Sequence, residues 1–545
     1  MQIIQNMRLT AVRLGAITIS IGLAIAGCAP YALQKAGAEP VSQKNVAPLI
    51  AWQPNCAGLD PGAAGNQQCG TLQVPLNYKD PNGRKISVAI SRIAAADSSH
   101  RRGVLLLNPG GPGGAGIDLP TLFATLMPHS VLDQYDLIGF DPRGVGQSTP
   151  VSCNLTREQA EQAMVPLTQN NNFNDTAAFM KMVADKCAAT SGDLLPYITT
   201  NNTARDMDQI RQALGEPKIS YFAYSYGTYL GSVYASLFPQ QSDRFVLDSN
   251  VDSNWVWRQQ FRSWKLADYD RFPDFARYLA ANDAIYHLGT SESQINAKYF
   301  QLIAKLREHP VYVPILKKTL NDTMFREIAF SVLYNDASFP LGGQILQTAD
   351  GQTPASPLDK NAVQALPTAS PALAAAPADN GAASALAVVC ADATWSRQPA
   401  QYQQELTTDT LLFPKFGELG SNIWPCAYWH YQSQEQKIAI NANGPTNVLM
   451  IQNKRDPATP YLGALETRAL FLNRARLVSV EQGGHTAAYL AANQCATDTV
   501  NSYLATGALP THDTTCAAET SDAQRLAPRS QPQQQAVEKL RQLVH

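Results

Sequence analysis

The sequence predicts an α/β fold, in which a doubly wound, mostly parallel sheet carries a large, mainly helical insertion. Two apolar runs, 104–107 and 135–140, each stop at a loop, as strands buried on both faces of a parallel sheet do. From about residue 203, helix-like and strand-like segments alternate, which is typical of right-handed βαβ units. The alternation ceases near residue 253 and resumes near residue 441, so the stretch between them is predicted to be the insertion.

Local patterns define the elements of the first half of the predicted core, residues 49–252. Polarity alternates on either side of a turn at 80–83, which predicts an opening antiparallel pair. A helix is predicted to begin with Thr203 as its N-cap and to end before Gly215. In chain order, the predicted elements are strands at 71–76, 86–90, 104–107 and 135–140, a helix at 203–214, a strand at 218–224, a helix at 226–238 and a strand at 244–248.

The insertion, residues 253–440, is predicted to be a helical cap. It contains a helix-like segment at 275–288 and an Ala/Pro-rich piece at 362–385 that is predicted to be a loop or locally disordered. The second half of the core is assigned to 441–516, with strands at 447–451 and 477–480 and helices at 462–472 and 500–504. The Gln/Arg-rich tail, 517–545, is predicted to be flexible, either frayed or loosely helical.

Residues 1–27 have the pattern of a secretory signal sequence. Arg8 and Arg13 precede an uncharged, largely apolar run that ends at Ala26 and is too short to span a bilayer comfortably. The small residues before Cys28 resemble a bacterial lipobox, so cleavage is expected to leave a lipidated Cys28 as the N-terminus. A plain signal peptide followed by an incidental cysteine is the alternative. Residues 28–48 are then a tether, and the protein is expected in the bacterial cell envelope, facing an extracytoplasmic compartment and touching the membrane only through the lipid.

Charge and cysteine content fit that location. The chain has 42 Lys plus Arg against 44 Asp plus Glu, a formal charge of −2, so nucleic acid is not indicated as a partner. Nine cysteines leave eight once Cys28 is set aside, and an oxidising compartment would let these close as disulfides. No C-x-x-C or Cys/His spacing indicates a metal site. Many connectivities are possible, and the simplest pairs neighbours: Cys56–Cys69, Cys153–Cys187, Cys390–Cys426 and Cys495–Cys516.

The strongest chemical signal is Ala223-Tyr-Ser-Tyr-Gly227, which lies where a predicted strand ends and a predicted helix begins. A nucleophilic serine at such a sharp turn needs small residues two positions before and after it. Gly227 meets this requirement, and Ala223 replaces the usual first glycine with one extra methyl group. Ser225 is therefore the predicted nucleophile.

A serine hydroxyl needs a base that takes its proton and an acid that orients the base. His485 follows the predicted strand 477–480 in a Gly-rich loop, whereas His430 and His512 have no such setting. Since the acid precedes the histidine along the chain in this type of fold, Asp456 is the predicted acid. It ends the strand at 447–451.

Asp248 is the competing acid. It ends the strand that follows the nucleophile helix, a position that some enzymes with this arrangement use, although the residues after it are also typical of a helix or cap boundary.

The reaction also needs backbone N–H groups that stabilise the developing oxyanion. One is expected from Tyr226, directly after the serine, and the other from the glycine-dense loop at 108–114. Gly111 is the predicted donor in that loop, and its neighbours remain alternatives. A phosphate-binding role is not indicated, because neither G-K-[ST] nor G-x-G-x-x-G follows.

Three motifs together resemble one family: Asn-Pro-Gly-Gly-Pro-Gly at 108–113, Gly-Phe-Asp-Pro-Arg-Gly-Val-Gly-Gln-Ser at 139–148, and Tyr-Ser-Tyr-Gly-Thr at 224–228. They are similar to the proline iminopeptidase and tripeptidyl aminopeptidase branch of the α/β hydrolases, above all to secreted actinobacterial tripeptidyl aminopeptidases and related mycobacterial lipoprotein hydrolases. The likeness covers about 52–516. It implies an α/β-hydrolase fold with a helical cap over the active site and release of short peptides from free N-termini.

Two departures limit what this resemblance implies. Pro109 stands where proline iminopeptidases have a histidine, so a one-residue specificity does not carry over. In those enzymes, acidic residues of the cap bind the substrate amine, and Asp392 is the candidate here, with a solvated or capping carboxylate as the alternative role.

The sequence thus favours a serine exopeptidase that needs no metal, nucleotide or flavin. A carboxylesterase acting on small esters is the alternative, because the same triad attacks either carbonyl and the fold does not decide between them. A binding lipoprotein without activity is disfavoured by the intact set of candidate residues.

Overall fold

The computed structural model describes residues 49–53, 56, 66–165, 167–168, 172–313, 316, 318–354, 376–490, 493–519 and 530–544. The predicted signal sequence, the tether with Cys28 and most of the Ala/Pro-rich piece lie outside the described residues. Within the described ranges, no helix is long and apolar enough to cross a membrane.

A mixed sheet forms the centre of the molecule. The described strands are β1 (Ala51–Gln53), β2 (Gln68–Pro75), β3 (Lys85–Ile93), β4 (Gly103–Asn108), β5 (Tyr135–Phe140), β6 (Ile219–Tyr224), β7 (Ser242–Asp248), β8 (Val311–Val313), β9 (Lys318–Leu320), β10 (Val448–Arg455), β11 (Ala475–Gly483) and β12 (Thr514–Cys516). The strands of the sheet lie in the order β1-β2-β3-β5-β4-β6-β7-β10-β11-β12, antiparallel from β1 to β5 and parallel from there on. A separate antiparallel pair, β8 and β9, lies in the insertion.

Helices cover both faces of the sheet and build most of the insertion. The described helices are α1 (Leu119–Leu126), α2 (His129–Leu132), α3 (Arg157–Met164), α4 (Phe173–Ser191), α5 (Thr200–Ala213), α6 (Tyr226–Leu237), α7 (Arg258–Arg262), α8 (Trp264–Ala281), α9 (Asp283–Tyr286), α10 (Glu292–Glu308), α11 (Asp322–Leu333), α12 (Phe339–Asp350), α13 (Asn380–Asp392), α14 (Pro399–Leu412), α15 (Tyr461–Phe471), α16 (Gln494–Thr506) and α17 (Gln531–Val544).

The strand order determines where the candidate residues meet. Strands β4, β5 and β6 are buried along their whole length, which explains why their sequences are apolar without alternation. Strands β6, β7, β10 and β11 are parallel neighbours, so their carboxyl ends share one edge of the sheet. Ser225 and Asp456 lie directly after β6 and β10, His485 lies two residues after the end of β11, and Asp248 is the last residue of β7.

The prediction of Thr203 as a helix N-cap is wrong. Helix α5 begins one turn earlier, where the side chain of Thr199 accepts a hydrogen bond from the backbone N–H of Asn202. Thr203 lies inside the helix, and its hydroxyl donates to the Thr199 carbonyl at 3.0 Å. The residues of this extra turn, 199–202, are polar, so apolar periodicity does not predict it.

The described last part of the C-terminal tail is helical, which is one of the two predicted alternatives, and this helix is packed. Helix α17 buries Ala536, Val537, Leu540, Leu543 and Val544. These residues follow the spacing of one helix face. The many Gln residues between them obscured the pattern, and residues 520–529 lie outside the described part.

The predicted cap packs in two parts. Its segment from α8 to α12 has an apolar core of its own, which includes Phe272, Tyr299 and Phe330. By contrast, α13 and the segment around Trp424 belong to the core that covers one face of the main sheet. The independent cap is thus shorter than the predicted 253–440.

Four disulfides join the described cysteines in the sequential pattern: Cys56–Cys69, Cys153–Cys187, Cys390–Cys426 and Cys495–Cys516. The third pair ties α13 to the segment around Trp424, within the part of the insertion that packs on the core.

Candidate active site

Ser225 occupies the sharp turn between β6 and α6. Its backbone has φ 52° and ψ −128°, a strained conformation for a residue with a side chain. Its N–H donates to the Asp248 carbonyl at 3.0 Å, which fixes the turn against β7. A Cβ atom on Gly227 would lie 2.7 Å from the Ala223 Cβ and 2.5 Å from Asn108 Oδ1, so the turn has room for one methyl group but not for two.

His485 and Asp456 form a buried pair at the same edge of the sheet. His485 Nδ1 lies 3.0 Å from each carboxylate oxygen of Asp456. The carboxylate also accepts hydrogen bonds from Ala458 N, Thr459 N and Thr459 Oγ1, each at 2.9 Å. Burial acts to raise the pKa of Asp456, but the His485 ring and these hydrogen bonds outweigh it and hold the pKa below its usual range. An ionised Asp456 favours the proton on Nδ1, so Nε2 is the basic ring nitrogen.

Asp248 lies beside this pair but bonds to a different group. Its buried carboxylate accepts hydrogen bonds from Ala487 N at 3.0 Å and Ala488 N at 2.8 Å. Burial raises its pKa to about 7, against the opposing effect of these two N–H groups. Asp248 therefore supports the loop that follows His485, while Asp456 contacts the ring.

The glycine-dense loop lies directly against the Ser225 turn. A Cβ atom on Gly110 would lie 2.7 Å from the Tyr224 carbonyl oxygen and 2.9 Å from the Ser225 Cβ. Gly110 donates its own N–H to Asn108 Oδ1 at 3.0 Å, so that group is occupied. Gly111, with φ +101°, is the next residue, and its role as an oxyanion donor stays a prediction.

The second predicted donor, Tyr226, is the first residue of α6. The first N–H groups of a helix have no acceptor within the helix, and the helix dipole is positive there. The position suits stabilisation of a negative charge on a group bound to Ser225.

Asp392 is the last residue of α13, and its carboxylate points to the start of α5. It accepts hydrogen bonds from Thr200 N at 2.8 Å and Thr200 Oγ1 at 2.5 Å, and lies 3.4 Å from Trp257 Nε1. Burial raises its pKa to about 6. These contacts are those of a carboxylate that stabilises a helix N-terminus, and the predicted amine-binding role stays untested.

Comparison with known proteins identifies the family. Residues 414–516 match the family model described as TAP-like protein. The chain is 35% identical over 461 residues to the tripeptidyl aminopeptidase of Streptomyces coelicolor, covering 83% of each chain. The protein belongs to the tripeptidyl aminopeptidase-like α/β hydrolases. It is a serine hydrolase with the α/β-hydrolase fold, as the sequence predicted.

Other relatives of this TAP-like hydrolase carry different names. It is 26% identical over 515 residues to serine protease Hip1 of Mycobacterium tuberculosis, covering 91% of this chain and 96% of the relative. It is 28% identical over 538 residues to carboxylesterase B of the same organism, covering 92% and 98%. Relatives named as peptidases and one named as an esterase thus match this chain over 83% to 92% of its length.

Sequence reasoning missed one acidic residue of the TAP-like hydrolase. Asp268 lies on α8 in the cap and is fully buried. Within the described ranges neither of its carboxylate oxygens has a hydrogen-bond partner, and the same holds for the nearby Tyr299 hydroxyl. Burial, and to a smaller extent the Asp456 carboxylate, raise the pKa of Asp268 well above its usual range. A charged residue on the buried face of a helix was the available signal, but only the fold shows which face is buried.

Proposed function

We propose that this hydrolase is an exopeptidase that releases short peptides or residues from free N-termini. The observation that carries the proposal is the identity of 35% to a tripeptidyl aminopeptidase over most of both chains. The ionised Asp456 is hydrogen-bonded to His485 at the sheet edge where Ser225 follows β6, and this arrangement supports such a reaction.

The proposed reaction proceeds through an acyl-enzyme. His485 Nε2 takes the proton of Ser225 Oγ as that oxygen attacks the scissile carbonyl. The N–H groups of Tyr226 and Gly111 stabilise the oxyanion of the tetrahedral intermediate. His485 then gives the proton to the leaving amine, and the N-terminal fragment stays bound to Ser225 as an ester. In the second half, His485 takes a proton from water, which attacks the ester carbonyl, and His485 then gives that proton to the leaving Ser225 Oγ.

An enzyme that requires a free N-terminus must hold an ammonium group, which is costly to bury unless a carboxylate receives it. Asp392 already receives hydrogen bonds from Thr200. Asp268 lies in the cap, within electrostatic reach of Asp456, with both oxygens unpartnered within the described ranges. This favours Asp268 over Asp392 as the carboxylate that receives the substrate amine.

We expect tripeptide substrates with a free N-terminus to be cleaved about 30-fold faster in kcat/KM, or more, than the same peptides acetylated. Acetylation removes the charge of the amine, so the peptide cannot form an ion pair with the carboxylate of the cap. Asp268→Asn should abolish this preference by slowing the free peptide only, whereas Asp392→Asn should retain it. The measurement is kcat/KM for both peptides on each variant, with thermal unfolding as the check on folding.

Retention of the preference by Asp268→Asn and its loss in Asp392→Asn would assign the amine to Asp392. Equal rates on free and acetylated peptides would instead favour the alternative, a carboxylesterase. That alternative is supported by the 28% identity to carboxylesterase B, and faster turnover of short-chain acyl esters than of any peptide would establish it.

We also propose that the protein is exported and anchored through a lipid on Cys28. The lipobox-like residues before Cys28 support this, and so do four disulfides, which form in oxidising compartments. Cys28→Ser should move the protein from the membrane fraction to the soluble extracytoplasmic fraction. Mass spectrometry of the mature N-terminus should find diacylglyceryl-modified Cys28, and an unmodified N-terminus beyond it would refute the anchor.

A further inference from the structure

One carboxylate of the cap is bound to the residue that precedes Asp456. Asp274, on α8, accepts hydrogen bonds through Oδ2 from Arg455 Nε at 2.8 Å and from Arg271 Nη1 at 2.5 Å. Arg455 is the last residue of β10. Burial acts to raise the pKa of Asp274, but Arg271 and Arg455 outweigh it and hold the pKa below its usual range. The cap therefore presents a stable negative charge to the strand end that carries Asp456.

The same helix reaches the loop of His485. The side chain of Arg271 is 1% exposed, and its Nε donates to the Leu333 carbonyl at 3.1 Å. The next carbonyl, that of Tyr334, accepts the backbone N–H of His485 at 2.6 Å. Arg271 also packs closely against Gly483, where that loop begins. A Cβ atom on Gly483 would lie 2.2 Å from Arg271 Nη1.

The two loops are also bonded to each other independently of the cap. Gly484 N donates to the Arg455 carbonyl at 3.2 Å. Asn453 Nδ2 donates to the carbonyls of Gly484 and Thr486, each at 2.8 Å. These bonds join the two loops to each other at the backbone. The contacts from α8 act on each loop separately, at the Arg455 side chain and, through the Leu333–Tyr334 segment, at the His485 N–H. They therefore fix the position of each loop relative to the cap.

We propose that Arg271, Asp274 and Arg455 form a clamp that sets the geometry between Asp456 and His485 according to the position of the cap. The members are positioning residues, which act through the loops that they hold. The proposal rests on the proposed Ser-His-Asp mechanism. A displacement of a reacting group by about 1 Å can cost on the order of 100-fold in rate, so a clamp of this kind couples cap placement to catalysis.

The test compares Asp274→Asn with Arg277→Gln. Arg277 also pairs with Asp274, through the other carboxylate oxygen, but its side chain is 57% exposed and its other ion pair is with Glu292. Asp274→Asn should lower kcat by about 10- to 100-fold and leave KM within about twofold. Asp274→Glu should recover part of the loss, and Arg277→Gln should behave as the wild type.

A spectroscopic readout separates positioning from general destabilisation. The downfield proton resonance of His485 Nδ1–H should shift or broaden in Asp274→Asn and remain unchanged in Arg277→Gln. If Asp274→Asn fails to fold, Arg455→Gln serves instead, because it removes only the bond to the Asp456 side of the clamp. In a folded variant, wild-type kcat, a change confined to KM, or an equal loss in Arg277→Gln would overturn the clamp. Absence of fluorophosphonate labelling at Ser225 in the wild type would overturn the proposed mechanism itself.

Discussion

Ser225→Ala is expected to lower kcat on the order of 10⁶-fold, the scale seen when the serine of a catalytic triad is removed. The variant should fold as the wild type does, because alanine differs only by the hydroxyl and meets the same strain at φ 52°. Fluorophosphonate labelling and turnover of a tripeptide substrate measure the effect, and mass spectrometry of the labelled peptide locates the adduct.

Ser232→Ala is the matched control for this experiment. Ser232 is a buried serine on α6, the helix that follows Ser225. Its hydroxyl donates to the Thr228 carbonyl at 2.7 Å, so its loss removes a hydroxyl without changing the turn. It should be labelled and active like the wild type. Undiminished labelling of Ser225→Ala at another serine would show that Ser225 is not the nucleophile.

The placement of the candidate residues at one edge of the sheet could be predicted because each signal is local. The Ala223–Gly227 motif contains the turn itself. Its small residues are required because larger side chains would clash with atoms of the motif and of the neighbouring strand. Asp456 and His485 each follow a strand, and parallel strands place their carboxyl ends at one edge. The fold class could be predicted for the same reason, since buried strands and intervening helices have different periodicities.

The parts that escaped prediction depend on distant contacts. Helix α17 is stabilised by burying an apolar face that only the folded domain offers, so its Gln-rich sequence resembled a flexible tail. Asp268 and Asp274 look like ordinary helix carboxylates in the sequence. Their environments depend on residues such as Tyr334 and Arg455, which are far away along the chain. The packing of the insertion in two parts also depends on distant contacts, because α13 packs in the core of the main sheet and not in the core of the helices α8 to α12.

The two candidate acids should respond very differently to removal of their charge. Asp456→Asn is expected to lower kcat on the order of 10⁴-fold, because an amide in place of the carboxylate favours the wrong imidazole tautomer. His485→Ala should lose at least about 10³-fold. Asp248→Asn should cost about tenfold or less, since an amide oxygen can still accept one of the two N–H groups that Asp248 binds. Steady-state kinetics on one tripeptide substrate measure all three.

The electrostatics give an independent reason for this order. An acid that stabilises an imidazolium must carry its charge throughout the working pH range. The pKa of Asp456 is held below its usual range, so Asp456 is ionised at neutral and mildly acidic pH. Burial raises the pKa of Asp248 to about 7, so Asp248 gains a proton as the pH falls through neutrality. If Asp248 were the acid, Asp248→Asn would be the crippling substitution and Asp456→Asn would stay mild.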